Sequence, residues 1–168
     1  GVGLPLYGQS MGAFNKPYPC VSAGCGSVDM TGLIDSQGYY AAVIWNQYKK
    51  PYIGVRPVNH SAEKVFLGRW RSTDAVNSWS WQGQEGKQAE IEVYSIGDSV
   101  ELLQDGKTLG RRKLADWKAS FKTTYRPGEL VAISYDAAGK EIASSALKTA
   151  SKETVLTVLA EENAIRAD

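Results

Sequence analysis

From Gln88 onward the chain alternates apolar and polar positions at a period of two. Ala89, Ile91, Val93 and Ser95 interleave with Glu90, Glu92 and Tyr94, which predicts a strand with one row of side chains in a core and the other towards water. Val100, Leu102 and Gln104 then run into Asp105-Gly106, a dipeptide that accepts positive φ at both positions. It predicts a type I′ hairpin returning through Lys107 to Arg112. Further strand patterns cover 52–56, 117–125, 129–135, 140–148 and 154–160, and Phe66, Trp70, Val76 and Trp79 mark the entry to another. Tyr125-Arg126-Pro127-Gly128 and Asp136-Ala137-Ala138-Gly139 read as turns between these runs. Many short strands with regular turn signals predict an antiparallel β-sandwich of immunoglobulin-like form. Trp79, Val93, Leu102, Leu109, Phe121, Val131, Ile133, Ile142, Leu147 and Leu156 are the expected core.

Upstream the pattern changes. Ser36, or Asp35 before it, offers an N-cap, and Tyr39, Tyr40, Val43 and Ile44 fall on one face at helical spacing, predicting a helix to about Gln47. Lys49-Lys50-Pro51 ends it. Residues 1–35 are rich in Gly, Pro, Tyr and Ser without sustained period. A loop longer than about 15 residues is unusual in a compact domain and is commonly functional or part of a larger context.

Composition narrows the classes. The chain has 168 residues, 43% hydrophobic and 22% charged, within the ordinary globular range. Nineteen basic and eighteen acidic residues leave a net charge of +1, with only Arg111-Arg112-Lys113 clustered, so a nucleic-acid partner is not indicated. No apolar run approaches the ~20 residues that span a bilayer. Cys20 and Cys25 are the only cysteines. They could close a small ring or remain thiols, whereas zinc needs two more ligands and the chain has a single histidine. No metal or other cofactor is expected.

The wording Trp79-Ser-Trp81, Gly83-Gln-Glu-Gly86, Val93-Tyr-Ser95 and Val100-Glu-Leu-Leu-Gln-Asp-Gly-Lys-Thr-Leu-Gly110 resembles the domain that follows the catalytic barrel in family 2 glycoside hydrolases, the β-galactosidase and β-glucuronidase group. Residues 19–45 resemble the last loop and last helix of that barrel, with Gly32-Leu33 as the turn before the helix. The resemblance implies three parts: a remnant of a (β/α)8 barrel over 1–50, a linker over 51–64 and the sandwich over 65–168. Its implied partners are the rest of the barrel and, in the intact enzyme, a β-galactoside-type carbohydrate. Self-association through the helix is a further expectation, because a barrel helix without its neighbours exposes apolar surface.

Family 2 enzymes retain anomeric configuration, using one carboxyl group as acid and a second, about 5 Å away, as nucleophile. The resemblance places both glutamates upstream of Gly1, so no catalytic residue is expected within the chain. Glu90, Glu92, Glu101, Glu161 and Glu162 read as solvated strand or tail charges. Some members carry a metal-ligating asparagine before the Gly-Leu turn, with an aromatic residue a little earlier. Here Thr31 and Val28 stand in those places, so no metal is implied. Asp29 and Thr31 remain candidates for substrate contact at the rim of the active site, with turn capping as the competing role for Asp29.

His60 beside Ser61 lacks the motif of a nucleophile elbow and reads as a linker residue. Trp79, Trp81 and Trp117 could stack on sugars, which would make the chain a stand-alone carbohydrate-binding module instead. Packing in the core is the competing role for the same rings. An adhesion module of immunoglobulin-like form is a third reading, but it leaves the helix unexplained. The compartment and the exact sugar are not legible.

Overall fold

The computed structural model describes residues 27–28, 32–63 and 71–151. The expected strand at 154–160, Leu156, Phe66, Trp70, Cys20 and Cys25 lie outside the described residues. Among the described residues one α-helix, α1 (Ser36–Ile44), precedes seven strands: β1 (Tyr52–Val55), β2 (Gln88–Tyr94), β3 (Ser99–Gln104), β4 (Lys107–Lys113), β5 (Lys118–Thr124), β6 (Glu129–Tyr135) and β7 (Glu141–Lys148). They form two antiparallel sheets, ordered β1-β2-β5 and β4-β3-β6-β7. This is a mainly β, two-sheet sandwich. Its fourth strand stays beside the third, unlike the constant-type immunoglobulin arrangement, in which the fourth joins the opposite sheet.

Turn chemistry sets the register. Asp105 and Gly106 have φ of 49° and 75°, the positive pair that a tight hairpin between β3 and β4 requires. Asp105 also receives the Glu129 N–H at 2.8 Å on its carboxylate and donates its own N–H to Glu129 O at 2.9 Å. That exchange fixes where β6 starts. The Asp136 turn closes β6 onto β7 through Lys140 N–H to Asp136 Oδ1, 2.9 Å.

Between the sheets lie Ile53, Val55, Trp79, Ile91, Val93, Val100, Leu102, Phe121, Tyr125, Leu130 and Ala132, all buried. Removal of this apolar surface from water is the main stabilising term. Two expectations for the core are corrected. In β6 the inward row is Leu130, Ala132 and Ser134, so Val131 and Ile133 sit half-buried on the outer face. Both rows of β6 are apolar, and the Asp105–Glu129 exchange, together with the Ser134–Ser95 hydroxyl pair at 2.6 Å, decides between them. Ile142 is 44% exposed on the edge strand β7.

The helix is shorter than expected because Asn46 takes a φ of +57°, its N–H closing on Val43 O at 2.9 Å. Tyr94, expected outward, is buried. The helix itself covers it.

Candidate functional site

The outer face of β1-β2-β5 carries a tyrosine cluster and a row of ion-paired carboxylates. At one end α1 lies against the sheet. Asp35 caps it by accepting Gly38 N–H at 2.9 Å, which turns Tyr39, Tyr40 and Val43 towards the strands. Tyr39 stacks on Tyr52 and meets Tyr48 edge-on at 5.1 Å. Tyr40 packs against Tyr94 at 4.9 Å, and Tyr52 and Tyr94 lie nearly parallel at 5.6 Å. The Tyr40 hydroxyl donates to Asp116 O at 2.7 Å, and the Ser36 and Tyr52 hydroxyls pair at 2.8 Å inside the contact. A cavity of about 110 Å³ opens where α1, β1 and β7 meet, between Tyr39, Tyr48, Pro51, Tyr52, Asn77 and Ser145.

Below the helix a segment from Arg71 to Asn77 crosses the same face. Val76 bridges Val55, and Asn77 Nδ2 donates to Ile53 O at 2.7 Å. Gly54 admits the close approach, since a Cβ there would stand 3.0 Å from that of Ala75. The carboxylates of β2 are engaged. Glu92 Oε2 accepts the Tyr94 hydroxyl at 2.6 Å and the Thr73 hydroxyl at 3.0 Å, with Lys118 3.7 Å from Oε1. Glu90 pairs with Lys122 at 2.9 Å and Arg56 at 3.6 Å, and Arg56 reaches Asp74 at 3.2 Å.

Electrostatics follow the geometry. The Lys122 hydrogen bond, helped by the charges of Lys122 and Arg56, holds Glu90 below the usual carboxylate range against the opposing effect of burial. Burial, and then the neighbouring Glu92 charge, pushes the Tyr94 phenol far above its ordinary value. Burial likewise raises Tyr52 to about 12. The carboxylates are taken up by lysine, arginine and hydroxyl partners and the phenols stay neutral, an arrangement that fastens elements together.

The residues singled out from sequence are scattered. Asp29 and Thr31 lie outside the described residues. Trp79 is fully buried, edge-on to Tyr125 at 4.9 Å, and a ring without an exposed face cannot stack on a sugar. Trp81 packs on the core, its N–H donating to the Tyr125 hydroxyl at 2.9 Å and its indole N–H to Ser78 O at 3.2 Å. Trp117 is 44% exposed on a turn with φ of +59°. His60 Nδ1 lies 2.7 Å from Glu63 Oε1 in the turn after β1. Among the described residues no cluster of three or more His, Cys, Asp or Glu is placed to hold a metal. Sequence reasoning did not anticipate Arg71, Thr73 or the pairing of Tyr52 with Tyr94; a tyrosine at the buried end of an alternating strand was the available signal.

Fold and face together define an immunoglobulin-like sandwich with a helix docked on its three-stranded sheet. The family described as "Domain of unknown function (DUF4982)" matches residues 86–143. A glycosyl hydrolase family 2 (GH2) member from Bacteroides cellulosilyticus superposes with a TM-score of 0.67 and 29% identity, over 77% of this chain and 18% of that one. A GH2 member from Bacteroides cellulosilyticus DSM 14838 gives 0.66 and 28%, over 77% and 17%. A beta-glycosidase from Bacteroides vulgatus, at 0.55 and 21% over 75% and 13%, shares the fold. No curated protein matches the chain. The chain is similar to one part of these glycosyl hydrolase family 2 members, and it spans less than a fifth of their length.

Proposed function

We propose that this chain is the non-catalytic carboxy-terminal part of a retaining β-glycosidase, in which the last helix of a catalytic barrel meets the sandwich that supports it. The observation that carries this reading is the two-sided character of the amino-terminal segment. One side of α1 is sealed against Tyr52 and Tyr94, while Val28, Leu33, Ile34, Ile44 and Trp45 remain exposed, Trp45 by 76%. Stable monomers rarely leave a large contiguous apolar surface open, and these five residues lie within one short stretch of the chain. In the proposed enzyme the barrel covers it.

On this reading the sandwich fixes the helix, and the loop before the helix, with Asp29 and Thr31, lies at the rim of the sugar pocket. The acid and the nucleophile come from the barrel. The substrate is a β-galactoside-type carbohydrate, as the resemblance implies. The engagement of Glu90 and Glu92 by lysine, arginine and hydroxyl groups supports a structural role for this portion.

The test is hydrolysis of a panel of aryl β-glycosides, galactoside and glucuronide included, by the chain and by the longer protein that carries it. The longer protein should release product with retained anomeric configuration, and the chain alone should not exceed a blank. Turnover by the chain that is lost on mutation within residues 1–168, or a longer protein inert to every β-glycoside, overturns the reading.

A further inference from the structure

We propose that Arg71 is a positioning residue: from a segment fastened to the sandwich it grips the base of a loop, Ser27 and Val28 with Ile34 and Asp35, so that the sandwich fixes where that loop leaves and returns. The proposal rests on the reading above, which puts this loop at the rim of the active site.

The base is built closely. Asp35 N–H donates to Ser27 O at 3.0 Å, Val28 bridges Ile34, and Gln37 Nε2 donates to Ser27 Oγ at 3.1 Å. A Cβ at Gly38 would stand 2.8 Å from Ser27 O, so the stem packs against the helix at a distance only glycine permits. Asp35 divides its oxygens between two tasks. Oδ1 caps α1, and Oδ2 takes Arg71 Nη1 at 2.8 Å.

Arg71 is held in turn. Its Nε donates to Thr73 O at 2.9 Å, and the neighbouring Ser72 N–H donates to Gln37 Oε1 at 2.9 Å. Thr73 continues to Glu92 on β2, and Asp74 to Arg56. A continuous run of polar contacts therefore leads from the middle strand of the sheet to the loop base. The Arg71 side chain is only 11% exposed and that of Asp35 27%, so solvent screens the pair less than it screens surface ion pairs. One guanidinium reaches two acceptors in different directions, which a lysine ammonium on a flexible stem does not reproduce.

Two measurements on Arg71→Ala and Arg71→Lys test this. In the 168-residue chain, amide hydrogen exchange at Asp35 and Gly38 should accelerate about tenfold or more in R71A, with β2 and β3 unchanged. In the longer glycosidase, R71A should raise KM about three- to tenfold while kcat stays within about twofold, and R71K should recover part of the loss. Gln37→Leu, which removes both the Ser72 link and the Gln37 hydrogen bond to the Ser27 hydroxyl, should change exchange in the same direction. Unchanged exchange at Asp35 overturns the proposal, as does faster exchange with KM unaltered. If the longer protein hydrolyses no glycoside, the functional reading falls, and the exchange result alone decides whether Arg71 holds the loop base.

Discussion

Tyr39 lies on Tyr52 with ring centroids 4.5 Å apart and planes inclined by 18°, and this stack joins the helix to the first strand. It is the central contact of a cluster whose other members, Tyr40, Tyr48 and Tyr94, each touch one of the pair or sit beside it.

Tyr39→Ala should therefore cost about 1–3 kcal/mol in urea unfolding, because it removes a stacked ring and an edge contact from a half-buried position. Tyr39→Phe keeps the ring and should stay within about 0.5 kcal/mol of the parent. Equal losses for both variants would show that the stack is not what holds the helix.

Tyr52 predicts an alkaline limb. Its phenol has an ordinary value of 10.0 that burial raises to about 12 in the folded chain. The native state therefore keeps this proton where the unfolded chain has released it. A raised folded value contributes stability that is complete below pH 10 and is lost as pH climbs towards about 12. Unfolding midpoints should fall across that window, and Tyr52→Phe should flatten the fall while losing about 1–2 kcal/mol at neutral pH for the Ser36 hydroxyl left without its buried partner. Midpoints of the parent that hold level through the window would contradict this.

Leu102 and Ile133 separate the two faces of the four-stranded sheet. Leu102 is fully buried between the sheets, and Ile133 lies on the outer row of β6. Leu102→Ala should cost about 2–5 kcal/mol and Ile133→Ala about 1 kcal/mol, since the second leaves no enclosed cavity. Denaturant melts giving the opposite order would mean that the inward row of β6 is the other one.

These two residues also show what a sequence can disclose. The bounds of β3, β4 and β6 were legible because turns with specified chemistry delimit them: Asp105-Gly106 at one end, and Pro127-Gly128 and the Asp136 turn at the others. The phase of β6 was not, because Leu130 and Ala132 compete with Val131 and Ile133, and contacts far along the chain decide between them. Tyr94 was misread for a related reason. Its cover comes from a helix some fifty residues upstream. The segment from Arg71 to Asn77 has no period to read, since side chains reaching Asp35, Glu92, Arg56 and Ile53 shape it. The tryptophans could be core or platform from spacing alone, and burial of Trp79 assigns that ring to the core.

Removing the helix tests the whole face. A chain beginning at Pro51 keeps every strand but loses the Tyr39, Tyr40 and Val43 side chains that cover Tyr52 and Tyr94, two rings now 5% and 1% exposed. It also loses the Ser36 hydroxyl bonded to Tyr52. Two stacked aromatic rings opened to water form an apolar patch beside the charged row of Glu90, Glu92, Lys118 and Lys122, and burial of such rings stabilises by roughly 1.5–3 kcal/mol each. The shortened chain should unfold at lower urea and show a concentration-dependent mass by light scattering, as copies bury the patch against one another. Tyr52→Ser with Tyr94→Ser in that chain should return the mass to the monomer value. A shortened chain that stays monomeric with an unchanged unfolding midpoint would show that the helix contributes nothing to the sheet it lies on.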